Sequence, residues 1–340
     1  MKTIMLTGGT GYLGSYVAKE LLGKGYHLRL SLRDPNKIHK YKHLSEIAQN
    51  SPGTLEPFEA DLLKEGSFDQ AAKGSDAIIH MASPFSLKFK DPVKELIEPA
   101  VKGTRNVLEA AKRSGTVKKV VLTSSVAAVH GDNIDMKEQG LAEFTEAHFN
   151  TSSSARHQPY SYSKVMAEKE AWKMEREQDQ WKLVVINPSF VMGPPLSPHT
   201  RSESIQFLKD LIGGKLFLGV PHLEFGFVDV RDVAKAHLLA LEREDSKGRY
   251  ILAERVMSIW ELRQMIAKLY PGKFRFKLPL MESPKFMIYL IGWAFGLTYP
   301  FIKRNVGYSI SLNNQRSLKE LGLTYTPMEK TIKEMVEALV

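Results

Sequence analysis

The segment PYSYSKVMAEKEAW places Tyr160 and Lys164 four residues apart, so on a helix their side chains share one face, whereas Tyr162 has Met166 at that offset. A phenol beside an ammonium can hold and release a proton, because a neighbouring cation favours the ionised phenol. A Tyr and a Lys one turn apart are also commonplace on helix surfaces, so the pair gains meaning from its neighbours. Upstream, Ser124 and Ser125 close the apolar run VVLT. As the end of a buried parallel strand, they would stand at the carboxyl edge of a sheet, where open α/β folds bind ligands.

A second cluster lies at the start of the chain, in TGGTGYLG, Thr7 to Gly14. Glycine costs conformational entropy on folding, so a dense cluster belongs where the backbone turns sharply or lies close against something. A plain turn needs one glycine, and a phosphate-binding P-loop needs a Gly-Lys-Ser/Thr that does not follow. The remaining reading is a dinucleotide-binding turn. Thr3 to Leu6 read as a strand before it, and Leu13, Val17, Leu21 and Leu22 recur at helical spacing after it. The turn therefore feeds a helix N-terminus, whose unpaired N–H groups suit a phosphate. Gly8, Gly11 and Gly14 fall three apart, wider than the most familiar fingerprint.

These groups need a scaffold, and the rest of the chain describes one. HLRLSLR, AIIHM, VVLTSS, LVVINPS and RYILA read as buried strands, separated by helical patterns such as VKGTRNVLEAAKRSG. Alternating strands and helices predict an α/β fold, a doubly wound parallel sheet of Rossmann type. After residue 189 the rhythm changes: Pro188, Pro194, Pro195 and Pro198 break the chain, and helical material runs to Ile212. Gly226 to Val230 then reads as a strand before the helix of FVDVRDVAKAHLLALE. The expected division is a dinucleotide-binding domain of residues 1–188 and 222–252, with a smaller, discontinuous C-terminal substrate lobe of residues 189–221 and 253–340.

The 340 residues, 43% hydrophobic and 25% charged, suit an ordinary globular protein. The absence of cysteine excludes disulfides, thiolate metal sites and cysteine nucleophiles. No His and carboxylate cluster has metal-ligand spacing, so no metal is expected. The net charge of +9 comes from basic residues mixed with acids, which argues against nucleic acid and favours small anionic ligands. With no signal-peptide pattern, a cytoplasmic protein, monomer or homodimer, is expected.

TGGTGYLG, HMASP, the strand-end TSS, YSYSK, NPSFVMGP, FVDVRDVAKAH and the tail LKELGLTYTPMEKTIKEMVEAL together resemble the extended short-chain dehydrogenase/reductase family. Within it the chain is most similar to the branch of dihydroflavonol reductases, cinnamoyl-CoA reductases and NADPH-dependent aldehyde reductases. The resemblance implies that Tyr160 is the general acid for a carbonyl oxygen, that Lys164 lowers its pKa and holds the nicotinamide ribose, and that Ser125 binds the substrate oxygen. Moving a phenol from about 10 to near neutrality takes roughly 3 pKa units, about 4 kcal/mol.

The second strand ends LSLRDP. Where NAD-binding members place an acid, this chain has Leu32 followed by Arg33, a guanidinium that pairs bidentately with a 2′-phosphate. Asp34 could neutralise it, yet RDP followed by Lys40 resembles the NADP-binding members, so NADPH/NADP+ is the expected cofactor. The resemblance also assigns the cofactor Thr7, Gly8, Gly11, Tyr12, Leu13 and Gly14 in the turn, with Asp61 and Leu62 at the adenine. Ala82, Ser83 and Ser124 would meet its middle, and Pro188, Val191 and Ser204 the nicotinamide end. His130 is a candidate for facing substrate. The cinnamoyl-CoA reductase pattern has a Trp before the tyrosine where this chain has Pro159, which argues against a CoA thioester.

The uncharged stretch FMIYLIGWAFGLTYPFI, Phe286 to Ile302, sits at the lower length limit for crossing a bilayer and is broken by Gly292, Gly296 and Pro300. It is expected to pack Met287, Leu290, Ile291 and Phe295 against the crevice, as an apolar pocket for a hydrophobic aldehyde or ketone; the alternative is contact with a membrane surface. The competing functions are an NDP-sugar epimerase or dehydratase, a hydroxysteroid-type dehydrogenase, and a non-catalytic nucleotide sensor. Arg33 speaks against the first, and retention of both Tyr160 and Lys164 against the last.

Overall fold

The computed structural model describes residues 1–83, 90–197, 200 and 202–340, so Pro198 lies outside the described residues. Strands β1 (Thr3–Thr7), β2 (His27–Leu32), β3 (Thr54–Glu59), β4 (Ala77–His80), β5 (Lys119–Thr123) and β6 (Lys182–Pro188) are followed by β7 (Phe190–Met192), β8 (Val220–Pro221), β9 (Glu224–Asp229), β10 (Gly248–Leu252), β11 (Arg255–Ser258) and β12 (Glu282–Ser283). The helices are α1 (Tyr12–Gly23), α2 (Lys42–Gln49), α3 (Asp69–Ala72), α4 (Glu98–Ser114), α5 (Asp135–Glu138), α6 (Pro159–Arg176), α7 (Glu203–Gly213), α8 (Val230–Glu242), α9 (Ile259–Leu269), α10 (Lys285–Ile291), α11 (Tyr299–Asn305), α12 (Gln315–Lys319) and α13 (Met328–Leu339).

Seven strands form one parallel sheet in the order β10-β6-β5-β4-β1-β2-β3. Its central strands are apolar on both faces because helices cover both. Ile4, Leu6, Ile79, Val121 and Val184 pack with Val17 and Leu21 of α1 and Val233 of α8. Their neighbours Met5, Ile78, Val120, Leu122 and Val185 point the other way, onto Val107 and Leu108 of α4 and Ala171 of α6. Pro57 is confined to the edge strand β3, where a lost ladder donor is tolerated.

The chain runs outward from β1 to β3 and returns to β4 on the other side of β1, so the winding reverses between β1 and β4 and opens a crevice at their carboxyl ends. Beyond it lie a three-stranded sheet, β11-β9-β7, and a two-stranded one, β12-β8. The buried Asp229 ties this region to the large sheet: its carboxylate caps α8 through the Arg231 N–H at 2.7 Å and accepts the Thr331 hydroxyl of α13 at 2.7 Å. Among the described residues no helix is long and apolar enough to cross a membrane.

Candidate active site

Thr7 ends β1 at the reversal point, and its Oγ1 accepts the N–H groups of Met81 and Ala82 at 3.1 and 3.0 Å and meets His80 Nδ1 at 2.7 Å. Burial drives the His80 imidazole down to about 3, so it stays neutral. The next residue, Gly8, has φ +72°, and a Cβ there would lie 2.8 Å from the Ala82 nitrogen. A Cβ on Gly14 would lie 2.1 Å from the Gly8 carbonyl oxygen. Only glycine lets α1 start this close to the strands. Gly11 precedes α1 with no side-chain cap and no acid in the first turn, leaving helix-end N–H groups to an anion.

At the end of β2, Arg33 is exposed and makes no ion pair among the described residues. Asp34, its expected neutraliser, instead pairs with Lys37 at 3.1 Å, and that cation holds its carboxyl below the usual range. Lys40 is also exposed, on the short turn before α2. Asp61 and Leu62 lie past β3; the Asp61 carboxylate accepts the Leu63 N–H at 2.8 Å, and the Leu62 carbonyl accepts from Asn106 at 3.3 Å. Ala82 and Ser83 follow β4.

The hydroxyls of Ser124 and Ser125 part company. Ser125 caps a short turn, its Oγ accepting the Ala127 N–H at 3.1 Å, and it faces a cavity of about 570 Å³. Ser124 also borders the cavity, but its hydroxyl donates to the buried Glu168 at 2.5 Å. The expected cofactor contact of Ser124 is thus corrected in one respect: its hydroxyl is committed to the carboxylate beneath it. Glu168 also accepts from Asn187 Nδ2 at 2.9 Å and Trp172 Nε1 at 3.2 Å, and pairs with Arg249 at 2.6 Å. Each of these groups offers the buried carboxylate a hydrogen-bond donor or a positive charge.

Helix α6 begins at Pro159, whose fixed φ and missing N–H suit a first helical position. It brings Tyr160 and Lys164 to the cavity, with Lys164 Nζ 5.7 Å from the centre of the Tyr160 ring. Burial pulls the Lys164 ammonium down to about 8, with Glu168 opposing the fall. Burial pushes the Tyr160 phenol up to about 12. Removing the site from water penalises a phenolate and an ammonium alike, so both groups are biased toward their neutral forms.

Tyr12, Leu13, Pro188, Val191 and Ser204 line the same cavity as Ser125, Tyr160 and Lys164. The Tyr12 hydroxyl is already engaged, donating to the Gly193 carbonyl at 2.6 Å. His130 lines it too, stacked on Phe144 at 4.9 Å, with a buried Nδ1 that has no hydrogen-bond partner among the described residues and burial holding the ring near 4. Met287 and Leu290 are corrections. Neither lines the cavity, and Leu290 is 69% exposed. α10 turns Ile288 inward onto Ile302 and Val306 in a small cluster of its own, which leaves Leu290, Ile291 and Phe295 outside. Of the stretch Phe286 to Ile302 it is Phe301 that lines the cavity, and the rest of the apolar wall comes from Phe190, Leu223, Phe225 and Ile310.

Residues 4–253 match the NAD dependent epimerase/dehydratase family. The chain belongs to this family. It is 36% identical to the cinnamoyl-CoA reductase CAD2 of Medicago truncatula over 99% of this chain and 95% of that protein. It is 36% identical to an anthocyanidin reductase of Vitis vinifera, over 82% of this chain and 83% of that one. Among solved structures, Gre2 from Candida albicans in complex with NADPH superposes with a TM-score of 0.79 at 29% identity, covering 100% of this chain and 98% of Gre2. The family member described here is an oxidoreductase of the reductase branch acting on carbonyl groups with NADP(H).

Its residues fit that cofactor. The turn at Gly8 and Gly14 has no room for a side chain, α1 offers an uncapped N-terminus, and Arg33, exposed at the end of β2 and in no ion pair among the described residues, is a cation that a 2′-phosphate could use. Reading the sequence missed the support beneath the site. Glu168 was detectable as an acid one turn beyond Lys164 on the same helical face; Asn187 and Arg249 carry no local signal.

Proposed function

We propose that this reductase reduces the carbonyl group of hydrophobic aldehydes or ketones, with Tyr160 as general acid. The observation that carries the proposal is the meeting of Ser125, Tyr160 and Lys164 at one side of a cavity whose other walls are Phe190, Leu223, Phe225, Phe301 and Ile310. Such a site excludes water and selects apolar carbonyl compounds. The same reading keeps residues 1–188 and 222–252 as the dinucleotide-binding domain and 189–221 and 253–340 as the substrate lobe.

Bound NADPH supplies a hydride, and every other task falls to the protein. The Ser125 oxygen accepts the Ala127 N–H, so its own proton is the one it gives to the substrate oxygen. Tyr160, held neutral by burial, keeps its proton until charge builds on that oxygen and then delivers it. Lys164, charged below about 8, stabilises the phenolate left behind, and Glu168 helps to keep it charged.

The test is consumption of NADPH with a bulky aromatic aldehyde, with glyceraldehyde and with cinnamoyl-CoA. The expected result is kcat/KM roughly tenfold or more higher for the aromatic aldehyde than for glyceraldehyde. Preference for the thioester would move the substrate class to that of the Medicago relative, and equal rates on both aldehydes would refute the apolar reading.

A further inference from the structure

Asp132 lies in the loop after β5 and is fully buried, yet it accepts hydrogen bonds from two different parts of the molecule. From the residues just before α6 come His157 Nε2 at 2.9 Å and Gln158 Nε2 at 2.7 Å. From the end of α11 come Arg304 Nε at 2.6 Å and Asn305 Nδ2 at 2.6 Å. Arg304 reaches on to Asp135 at 2.9 Å and Glu138 at 2.8 Å, and the Asn305 Oδ1 accepts the Asn133 N–H at 3.0 Å.

Both groups of donors bear on the cavity. Gln158 lines it and is, among the described residues, the non-glycine with positive φ, at +53°. An L-residue stays in that conformation only where its surroundings hold it. Its carbonyl accepts the Tyr162 N–H at 3.0 Å, so its conformation sets the first turn of the helix that carries Tyr160. On the other side, Phe301 and Asn305 of α11 form part of the cavity wall.

We propose that Asp132 is a positioning residue that locks the start of the catalytic helix to the α11 wall, so that proton donor and substrate wall keep one fixed separation. A buried carboxylate does this where an apolar contact would not, because hydrogen bonds impose direction as well as proximity. The kinetic part of the test rests on the reductase reading; the exchange part does not.

Asp132→Asn keeps the shape but removes the charge and turns an NH2 toward donors. Hydrogen–deuterium exchange should quicken about tenfold in residues 157–162 and in residues 302–306, while β1 and β4 stay protected. Arg304→Met should loosen only the second segment and raise KM for the aldehyde. Gln158→Ala should loosen only the first and lower kcat. Combined, these two variants should cost less than the sum of their separate effects, because both act through one carboxylate. Loosening of a single segment in Asp132→Asn, uniform loosening throughout the chain, or additivity of the other two variants overturns the lock. If Asp132→Asn does not fold, the additivity measurement decides. A wild-type protein that consumes no NADPH would refute the reductase reading while the exchange results still judge the lock.

Discussion

At the glycine turn the crevice is bounded by backbone, with 2.1 Å between a Cβ built on Gly14 and the Gly8 oxygen, whereas at the far end it is bounded by the side chains of Phe190, Phe225 and Phe301. Backbone walls have no rotamers and cannot adjust, so that end accepts one ligand shape. Side-chain walls can be re-cut one residue at a time without moving a strand. On the proposed reading the first end holds the dinucleotide and the second selects the carbonyl compound, with Ser125, Tyr160 and Lys164 acting at their junction.

The largest expected effect is at that junction. Tyr160→Phe removes a hydroxyl and leaves both ends intact, so kcat should fall by about 10²–10⁴ while NADPH still binds. Titration of the tryptophan fluorescence with NADPH checks the binding, and near-normal turnover would remove Tyr160 from its role. A pH profile probes its neighbour. Burial places Lys164 below its usual 10.5, at about 8, so its charge is complete at low pH and lost as pH rises through 8. With the ammonium required, kcat/KM should decline above pH 8 by roughly tenfold per unit. A flat profile up to pH 10 would show that the charge on Lys164 is not needed.

At the backbone-built end, Arg33→Ala tests the side chain proposed to meet the 2′-phosphate. Loss of a charge-assisted pair costs roughly 1.5–3 kcal/mol, so Kd for NADPH should rise about tenfold to over a hundredfold while that for NADH barely changes. Equal losses for both would make Arg33 structural and leave cofactor choice to the turn alone. At the other end, Phe225→Ala should be milder. It trims one wall whose neighbour Phe190, 6.0 Å away, still faces the ligand. KM for an aromatic aldehyde should rise roughly fivefold, about 1 kcal/mol, with NADPH affinity unchanged. If NADPH binding fell as well, the two ends would not be separable.

The same contrast explains what could be read from the sequence. The sheet was legible because its strands are buried on both faces and read as apolar runs, and the turn because three glycines answer to one backbone geometry. Tyr160 and Lys164 were legible because helical spacing alone puts them on one face. Burial of the phenol was not, since it depends on the walls contributed by Phe225, Phe301 and Ile310, which lie far along the chain and have no spacing relative to Tyr160. Arg249 of β10 reaches Glu168 of α6, and Arg304 of α11 reaches Asp132 in the loop after β5. Such pairs are made by topology, and no local pattern announces them.

The smallest expected effect sharpens the comparison from outside the cavity. Phe286 to Ile302 has the composition of a pocket wall, but an apolar run on a helix states only that one face is buried, not against what. Here the inward face is Ile288 and Ile302, packed on one another and on Val306, apart from the main core. Gly292 sits at that contact, where a Cβ would lie 2.9 Å from Ile302 Cδ1, so residues 286–297 fold back onto Ile302, and it is Phe301 near the end of the segment that borders the cavity with Tyr160. Trp293 remains 77% exposed, its indole N–H donating to the Leu290 carbonyl at 3.0 Å. Trp293→Ala therefore removes exposed surface that does not line the cavity. Its kcat and its KM for an aromatic aldehyde should stay within about twofold of wild type, as for an exposed substitution away from the site. A rise in KM comparable to that of Phe225→Ala would mean that this segment closes over the bound substrate, and the side-chain-built end of the cavity would then extend beyond the walls described above.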